Sequence, residues 1–429
     1  MPTRSVFTHK TLQYALAVAG FAAIASSASA TALSAYNVDP NSVSVSGLSS
    51  GGFMAAQLGV AYSNTFKVGF GVFAGGPFDC ARSQSYSTCM NNNTPPITNA
   101  TNNMRTWSGS SIDSTANLAN RKIYMQVGAS DTTVGPNPMA QLKAQLANFY
   151  NSANVSYVTT SGAAHTFPTD FNGSGDNSCG IALSPYISNC GYDGAGAVLK
   201  WMYGSLNARN SGTLSGSVVS FDQTGSYGAA GMDTAGYLYV PRNCAPGGST
   251  VCKLHVALHG CLQSHQNIGM QYINNTGYNM WADTNNIIIL YPQAIPDYTS
   301  HSTWASNLLP NPNGCWDWVG WYGANADQHG GVQMAAIVNM VNKIKSGYNG
   351  SGTTTTTASG GTTTVATTTT TTQKYSQAVS DTVLNHYLAG RINVTQYNQL
   401  GLKYGYNTVI TLYLCGTFWT NSSTCGPMQ

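Results

Sequence analysis

The sequence contains no glutamate, so all fourteen acidic residues are aspartates. Metalloprotease helices built on His-Glu are thereby excluded, and any acid/base carboxylate pair would have to be two aspartates. Charge of either sign is scarce. Asp, Lys and Arg together make up 7% of the 429 residues, against about 25% in an ordinary soluble domain. The net charge of +3 comes without a basic cluster, which argues against nucleic-acid binding. A membrane span is also missing at the N-terminus, where the apolar run from Tyr14 to Ile24 is too short to cross about 30 Å of hydrocarbon. Arg4 and Lys10 precede that run and Ala28-Ser29-Ala30 follows it. Residues 1–30 therefore read as a secretory signal, and no membrane association is expected after cleavage near Ala30.

Cysteine, by contrast, is plentiful, with ten residues at 80, 89, 179, 190, 244, 252, 261, 315, 415 and 425. None of the spacings resembles a zinc site, and no metal or cofactor is expected. Four close pairs suggest local bridges: Cys80–Cys89, Cys179–Cys190, Cys244–Cys252 and Cys415–Cys425. Cys261–Cys315 is left by elimination. Such usage fits an oxidising compartment, and the expected location is extracellular.

Composition divides the chain. Residues 31–350 alternate short Val/Ile/Tyr-rich runs with helical patterns. The runs include Val43–Ser46, Val68–Phe73, Ile123–Val127, Leu254–Leu258 and Ile287–Tyr291; the helical patterns include Met139–Tyr150 and Val332–Ile344. This predicts an α/β domain with a mostly parallel central sheet covered on both faces. The Gly/Ser/Tyr-rich stretch 214–240 is a candidate for antiparallel strands. Residues 351–373 are almost wholly Thr, Gly and Ala and predict an extended linker. Residues 374–429 form a small module in which Asp381 is placed to cap a helix through Val383, Leu384, Tyr387 and Leu388. Its recurrent tyrosines, with Phe418 and Trp419, serve either as its core or as a platform for a polymeric ligand.

Chemistry enters at Gly47-Leu48-Ser49-Ser50-Gly51. An alternating apolar run ends there, and Phe53-Met54-Ala55-Ala56-Gln57-Leu58 begins a helix. A serine on so tight a turn projects its hydroxyl from the sheet's carboxyl end and leaves the next N–H facing an oxyanion. A hydroxyl is a poor nucleophile until an oriented base takes its proton. Lys122–Val127 reads as a buried strand that places Asp131 just past its end, where catalytic groups of open α/β sheets gather. Val155–Thr159 reads as another strand, leading to His165 on a loop of small residues. The order Ser49, Asp131, His165 is that of α/β-hydrolases. The strand Leu254–Leu258 then runs into His259-Gly260-Cys261, a loop suited to supplying the second oxyanion N–H from Cys261 beside that of Ser50. His259 itself reads as a structural histidine. In an ordinary hydrolase this strand precedes the nucleophile; here it follows the histidine by nearly a hundred residues, which points to circular permutation.

These blocks, together with Ala164-His165-Thr166-Phe167-Pro168 and Cys315-Trp316-Asp317-Trp318, resemble those of extracellular poly(3-hydroxybutyrate) depolymerases with a circularly permuted α/β-hydrolase domain. The resemblance covers most of residues 36–345. It implies a secreted arrangement of signal, catalytic domain, Thr-rich linker and polymer-binding tail that acts on a water-insoluble polyester; a monomer is expected. It also implies that Asn313 and Trp318 line the substrate crevice; Trp304 and Tyr322 are further crevice candidates, and at least one of Trp316, Trp318 and Trp321 is expected in the core. A carbohydrate esterase on the same scaffold and a non-catalytic adhesion protein are the competing readings. Nothing in the chain resembles a protease family.

Overall fold

The computed structural model describes residues 31–82, 84–350, 377–388, 391–392, 394–405, 408–415 and 418–422. The expected signal at 1–30, the expected linker at 351–373 and the expected Cys415–Cys425 pairing fall outside these residues in whole or in part. The chain divides into two compact units, Met1–Thr354 and Thr355–Gln429.

In the larger unit, the apolar runs become strands because their β-branched and aromatic side chains fill both faces of a buried sheet. The first four are β1 (Val38–Leu48), β2 (Gly69–Phe73), β3 (Lys122–Gly128) and β4 (Val155–Thr160). From one edge, the eight-stranded sheet runs β4, β3, β2, β1, Cys252–Leu258, Ile287–Tyr291, Ala235–Val240 and Ser217–Asp222. The first six strands are mutually parallel. The last two are antiparallel, so stretch 214–240 does add a hairpin-like edge.

Alternation along β1 sends Val43 and Val45 to one face, where they join Met54, Met139, Leu142 and Ile337 from covering helices. Ala195, Val198, Leu199 and Trp281 cover the other face. Helix α1 (Ser50–Ala61) is buried on every side, which its nearly uniform apolar composition permits. On the second face Ser44 and Ser46 hold His255 between them, each 2.7 Å from a ring nitrogen. Burial pushes this histidine's pKa down to about 3.

Four disulfides close loops of this unit: Cys80–Cys89, Cys179–Cys190, Cys244–Cys252 and Cys261–Cys315. Among the described residues, no helix is long and apolar enough to cross a membrane.

The smaller unit contains a three-stranded sheet, Gln377–Thr382, Val409–Cys415 and Phe418–Thr420, with helices Val383–Leu388 and Val394–Tyr404. Its core gathers Val383, Ile392, Leu400 and Leu412, against which Tyr387, Tyr397 and Trp419 pack. These three aromatics thus serve the core. The helix cap differs from expectation: Thr382 Oγ1, not Asp381, accepts the Asn385 N–H. Asp381 lies in the preceding strand and instead accepts from Asn385 Nδ2 and Arg391.

Candidate active site

Ser49 joins β1 to α1 with φ 57° and ψ −121°, a left-handed conformation that costs a non-glycine residue of order 1–3 kcal/mol. The glycines on either side explain how so sharp a turn fits. A Cβ on Gly47 would lie 2.3 Å from the Gly51 carbonyl oxygen, and one on Gly51 would lie 2.4 Å from that of His259. Backbone therefore packs on backbone, drawing the start of α1 onto the loop after Cys252–Leu258.

Asp131 follows the end of β3 and is almost wholly buried. Its Oδ1 accepts the N–H groups of Thr133 (2.8 Å) and Val134 (3.1 Å), while Oδ2 lies 2.8 Å from His165 Nδ1. An ionised carboxylate only accepts, so Nδ1 carries the proton and Nε2 of the neutral ring is left as a base. The His165 loop is held by the Ala164 N–H donating to the Cys179 carbonyl, beside a disulfide.

Ser49 and His165 line one cavity of about 430 Å³. No Ser49 Oγ–His165 hydrogen bond is formed; bonds of this kind commonly tighten only around bound substrate. Ser50, Gly260 and Cys261 line the same cavity. Gly260 N–H donates to Gln263 Oε1, and Leu262 N–H donates to the Asn313 carbonyl. The N–H groups of Ser50 and Cys261 have no such acceptor among the described residues.

His259 is structural, as its sequence context suggested. Its Nδ1 lies 2.7 Å from the Gly260 carbonyl and its Nε2 accepts the Ala294 N–H. Burial pushes its pKa down to about 4, so the ring is neutral and pins the loop.

Asn313 and Trp318 also line the cavity, with Trp318 stacked on Phe53 at 4.3 Å. Trp304, expected in the crevice, is not among the residues that line this cavity. Its indole packs 4.4 Å from the Arg82 guanidinium and donates to the Ala324 carbonyl. Tyr322 also lies outside the lining, bonded to Asn311, and Trp316 is fully buried in the core.

Sequence reasoning missed other parts of the wall. Tyr86 and Met90 arrive on the Cys80–Cys89 loop, and Leu309 and Pro310 on the hairpin Asp297–Ser302/Leu308–Asn311. The apolar Leu308-Leu309-Pro310 in an otherwise polar stretch was the available signal. Asp317 went unnoticed as well. Its carboxylate accepts the N–H groups of Val319, Gly320, Trp321 and Tyr322, ordering the loop that follows Trp318.

A mostly parallel sheet with a serine on the turn between a central strand and its helix defines the class: an α/β-hydrolase. A model described as the prolyl oligopeptidase family, Peptidase_S9, matches residues 9–177. That is less than half of the chain, but it corrects the expectation that no protease family would show a likeness. The polyhydroxybutyrate depolymerase of Talaromyces funiculosus is 74% identical over 326 residues, covering 76% of this chain and 96% of that protein. The poly(3-hydroxybutyrate) depolymerase of Delftia acidovorans is 44% identical over 325 residues, covering 74% of this chain and 63% of that one. A solved PHB depolymerase bearing one serine-to-alanine substitution, complexed with an R3HB trimer, matches with a TM-score of 0.74 and 74% identity. That match covers 74% of this chain and all of the solved chain. The chain belongs to the polyhydroxybutyrate depolymerase family.

Proposed function

We propose that this chain is a secreted serine esterase that cleaves poly(3-hydroxybutyrate) to soluble oligomers and monomers through an acyl-enzyme. The observation that carries the site assignment is the buried Asp131–His165 hydrogen bond beside Ser49 in one apolar-walled cavity. Ser49 Oγ attacks an ester carbonyl while His165 Nε2 takes its proton. Asp131 holds the ring in that tautomer and stabilises the imidazolium. The N–H groups of Ser50 and Cys261 receive the oxyanion; losing one such donor costs about 2.7–4 kcal/mol of barrier. His165 then protonates the departing alkoxide, and water activated by the same ring frees the acyl group. No cofactor or metal enters these steps.

Family membership favours the polyester over a carbohydrate ester, and the relative solved with an R3HB trimer supports oligomeric hydroxybutyrate as the ligand of this cavity. Trp318 offers a flat apolar face for methyl and methylene groups, and Asn313 an amide for an ester carbonyl. Four disulfides support an extracellular location. The proposed organisation is a signal at 1–30, a catalytic domain at 31–350, a linker at 351–373 and a polymer-binding module at 374–429, acting as a monomer. Circular permutation is part of the same reading. It is supported by β1 and Cys252–Leu258 being sheet neighbours although the oxyanion strand comes some two hundred residues later in the chain.

Ser49→Ala tests the assignment. It should abolish hydrolysis of a soluble hydroxybutyrate ester while leaving adsorption to polymer granules intact. Near-parent turnover by this variant would remove Ser49 from the mechanism.

A further inference from the structure

We infer that Asn311 is a positioning residue for the oxyanion hole, acting on the Cys261 amide through Cys315. The inference rests on the assignment of Ser50 and Cys261 as oxyanion donors. Asn311 ends the strand Leu308–Asn311 and is 1% exposed. Its amide grips one residue on both backbone groups. Oδ1 accepts the Cys315 N–H at 2.9 Å, and Nδ2 donates to the Cys315 carbonyl at 2.8 Å. Nδ2 also lies 3.3 Å from the Tyr322 hydroxyl.

Cys315 is joined to Cys261 by a disulfide, with their Cα atoms 4.3 Å apart. The same short segment makes two further ties. The Asn313 carbonyl accepts the Leu262 N–H at 2.7 Å, fixing the residue after Cys261. The Trp316 N–H lies 3.3 Å from Ser50 Oγ, on the residue that supplies the other donor. Residues 311–316 therefore form a strap across both donors, which come from chain segments more than two hundred residues apart. Asn311 closes the strap into a small ring that keeps Cys315 from rotating.

The side chain is specified by its chemistry. Holding both an N–H and a C=O of one residue needs a donor and an acceptor on a short stem, which a carboxylate cannot supply. A misplaced oxyanion donor costs turnover more than substrate binding, because the oxyanion exists only beyond the ground state.

The test uses the full chain and a soluble hydroxybutyrate ester. Asn311→Asp should lower kcat about 10- to 100-fold and leave KM within about twofold. Inhibition by a trifluoromethyl ketone analogue, whose tetrahedral adduct places an oxyanion in the hole, should weaken by the same factor as kcat. A folded Asn311→Asp with kcat within twofold of parent overturns the inference. So does a kcat loss without weaker inhibition. If Asn311→Asp does not fold, Ser50→Ala decides, since it keeps the backbone donor but loses the Trp316 tie. A fall in kcat of about 3- to 10-fold supports the strap, and kcat within twofold of parent overturns it. Inactive Ser49→Ala with fully active Asn311→Asp removes this inference alone, whereas active Ser49→Ala removes it together with the mechanism beneath it.

Discussion

His165 Nδ1 meets Asp131 Oδ2 at 2.8 Å, with the two side chains only 5% and 0% exposed. Water cannot substitute for the carboxylate at that position, so the tautomer of the ring depends on this one partner. Asp131→Asn would offer an amide that can donate to Nδ1 and shift the ring proton to Nε2, where it blocks attack. Turnover of a soluble ester should fall about 10⁴-fold with modest change in KM. Steady-state kinetics on a soluble hydroxybutyrate ester checks this, and a loss of less than tenfold would contradict the role given to Asp131.

Gly51 should not tolerate even one methyl group. Its added Cβ meets two backbone oxygens, His259 at 2.4 Å and Leu258 at 2.5 Å, and neither can swing aside as a flexible side chain would. Gly51→Ala must push α1 away from the loop carrying Cys261, or distort both. Overpacking of this kind costs about 1–3 kcal/mol, and it separates the two oxyanion donors. The expected result is a lower Tm together with a loss of kcat larger than the stability change explains. An active variant with parental Tm would show that the turn is looser than the geometry indicates.

Acid should destabilise the larger unit before its ordinary carboxylates titrate. His255 and His259 are fully buried, and burial pushes their pKa values down to about 3 and about 4, below the ordinary histidine value of about 6.5. The unfolded chain therefore binds these protons more readily than the folded one. Their contribution is complete above pH 6.5 and declines as pH falls from there toward 4 for His259 and 3 for His255. For His259 the shift corresponds to roughly 3 kcal/mol at full development. Urea midpoints measured from pH 7 to pH 4 should fall steadily. His255→Gln should make that fall shallower, and an unchanged slope would show that burial does not lower the pKa of this ring in the folded chain.

What the chain revealed in advance was local. The turn at Ser49, the strand ends before Asp131 and His165, and the His259-Gly260-Cys261 loop each announce themselves through a few consecutive residues, because apolar alternation and small residues specify a strand followed by a tight bend. The crevice wall was legible only in part. Trp318 belongs to a recognisable block, whereas the contact of Trp304 with Arg82, distant in sequence, has no local signal. Leu309 and Pro310 reach the cavity on a hairpin whose register is set by pairing, such as Asp297 with Asn311, that no local pattern encodes. Likewise, Asp317 looked like one letter of a block until four N–H groups were seen to converge on it. In the tail, Asp381 lies one residue too early to cap: the helix begins at Val383, so Thr382 holds the adjacent position and accepts the Asn385 N–H.

The smaller unit should govern attachment to solid polymer and not the chemistry. Every proposed catalytic group lies between Ser49 and Cys261, and the wall residues extend only to Trp321. The solved relative is matched along its whole length by 74% of this chain, so a depolymerase of this family exists at that size. A chain ending at residue 350 should therefore hydrolyse a soluble ester at the parental rate. Its adsorption to granules should weaken, because a tethered second site raises the local concentration of the first by avidity without adding contacts to it. On granules the truncated enzyme should then need a higher protein concentration to reach the parental rate, with a gap that narrows as granule surface is added. Sedimentation of granules with bound protein, measured beside soluble-ester turnover, separates the two activities. Equal adsorption by the two lengths would assign polymer attachment to the larger unit alone.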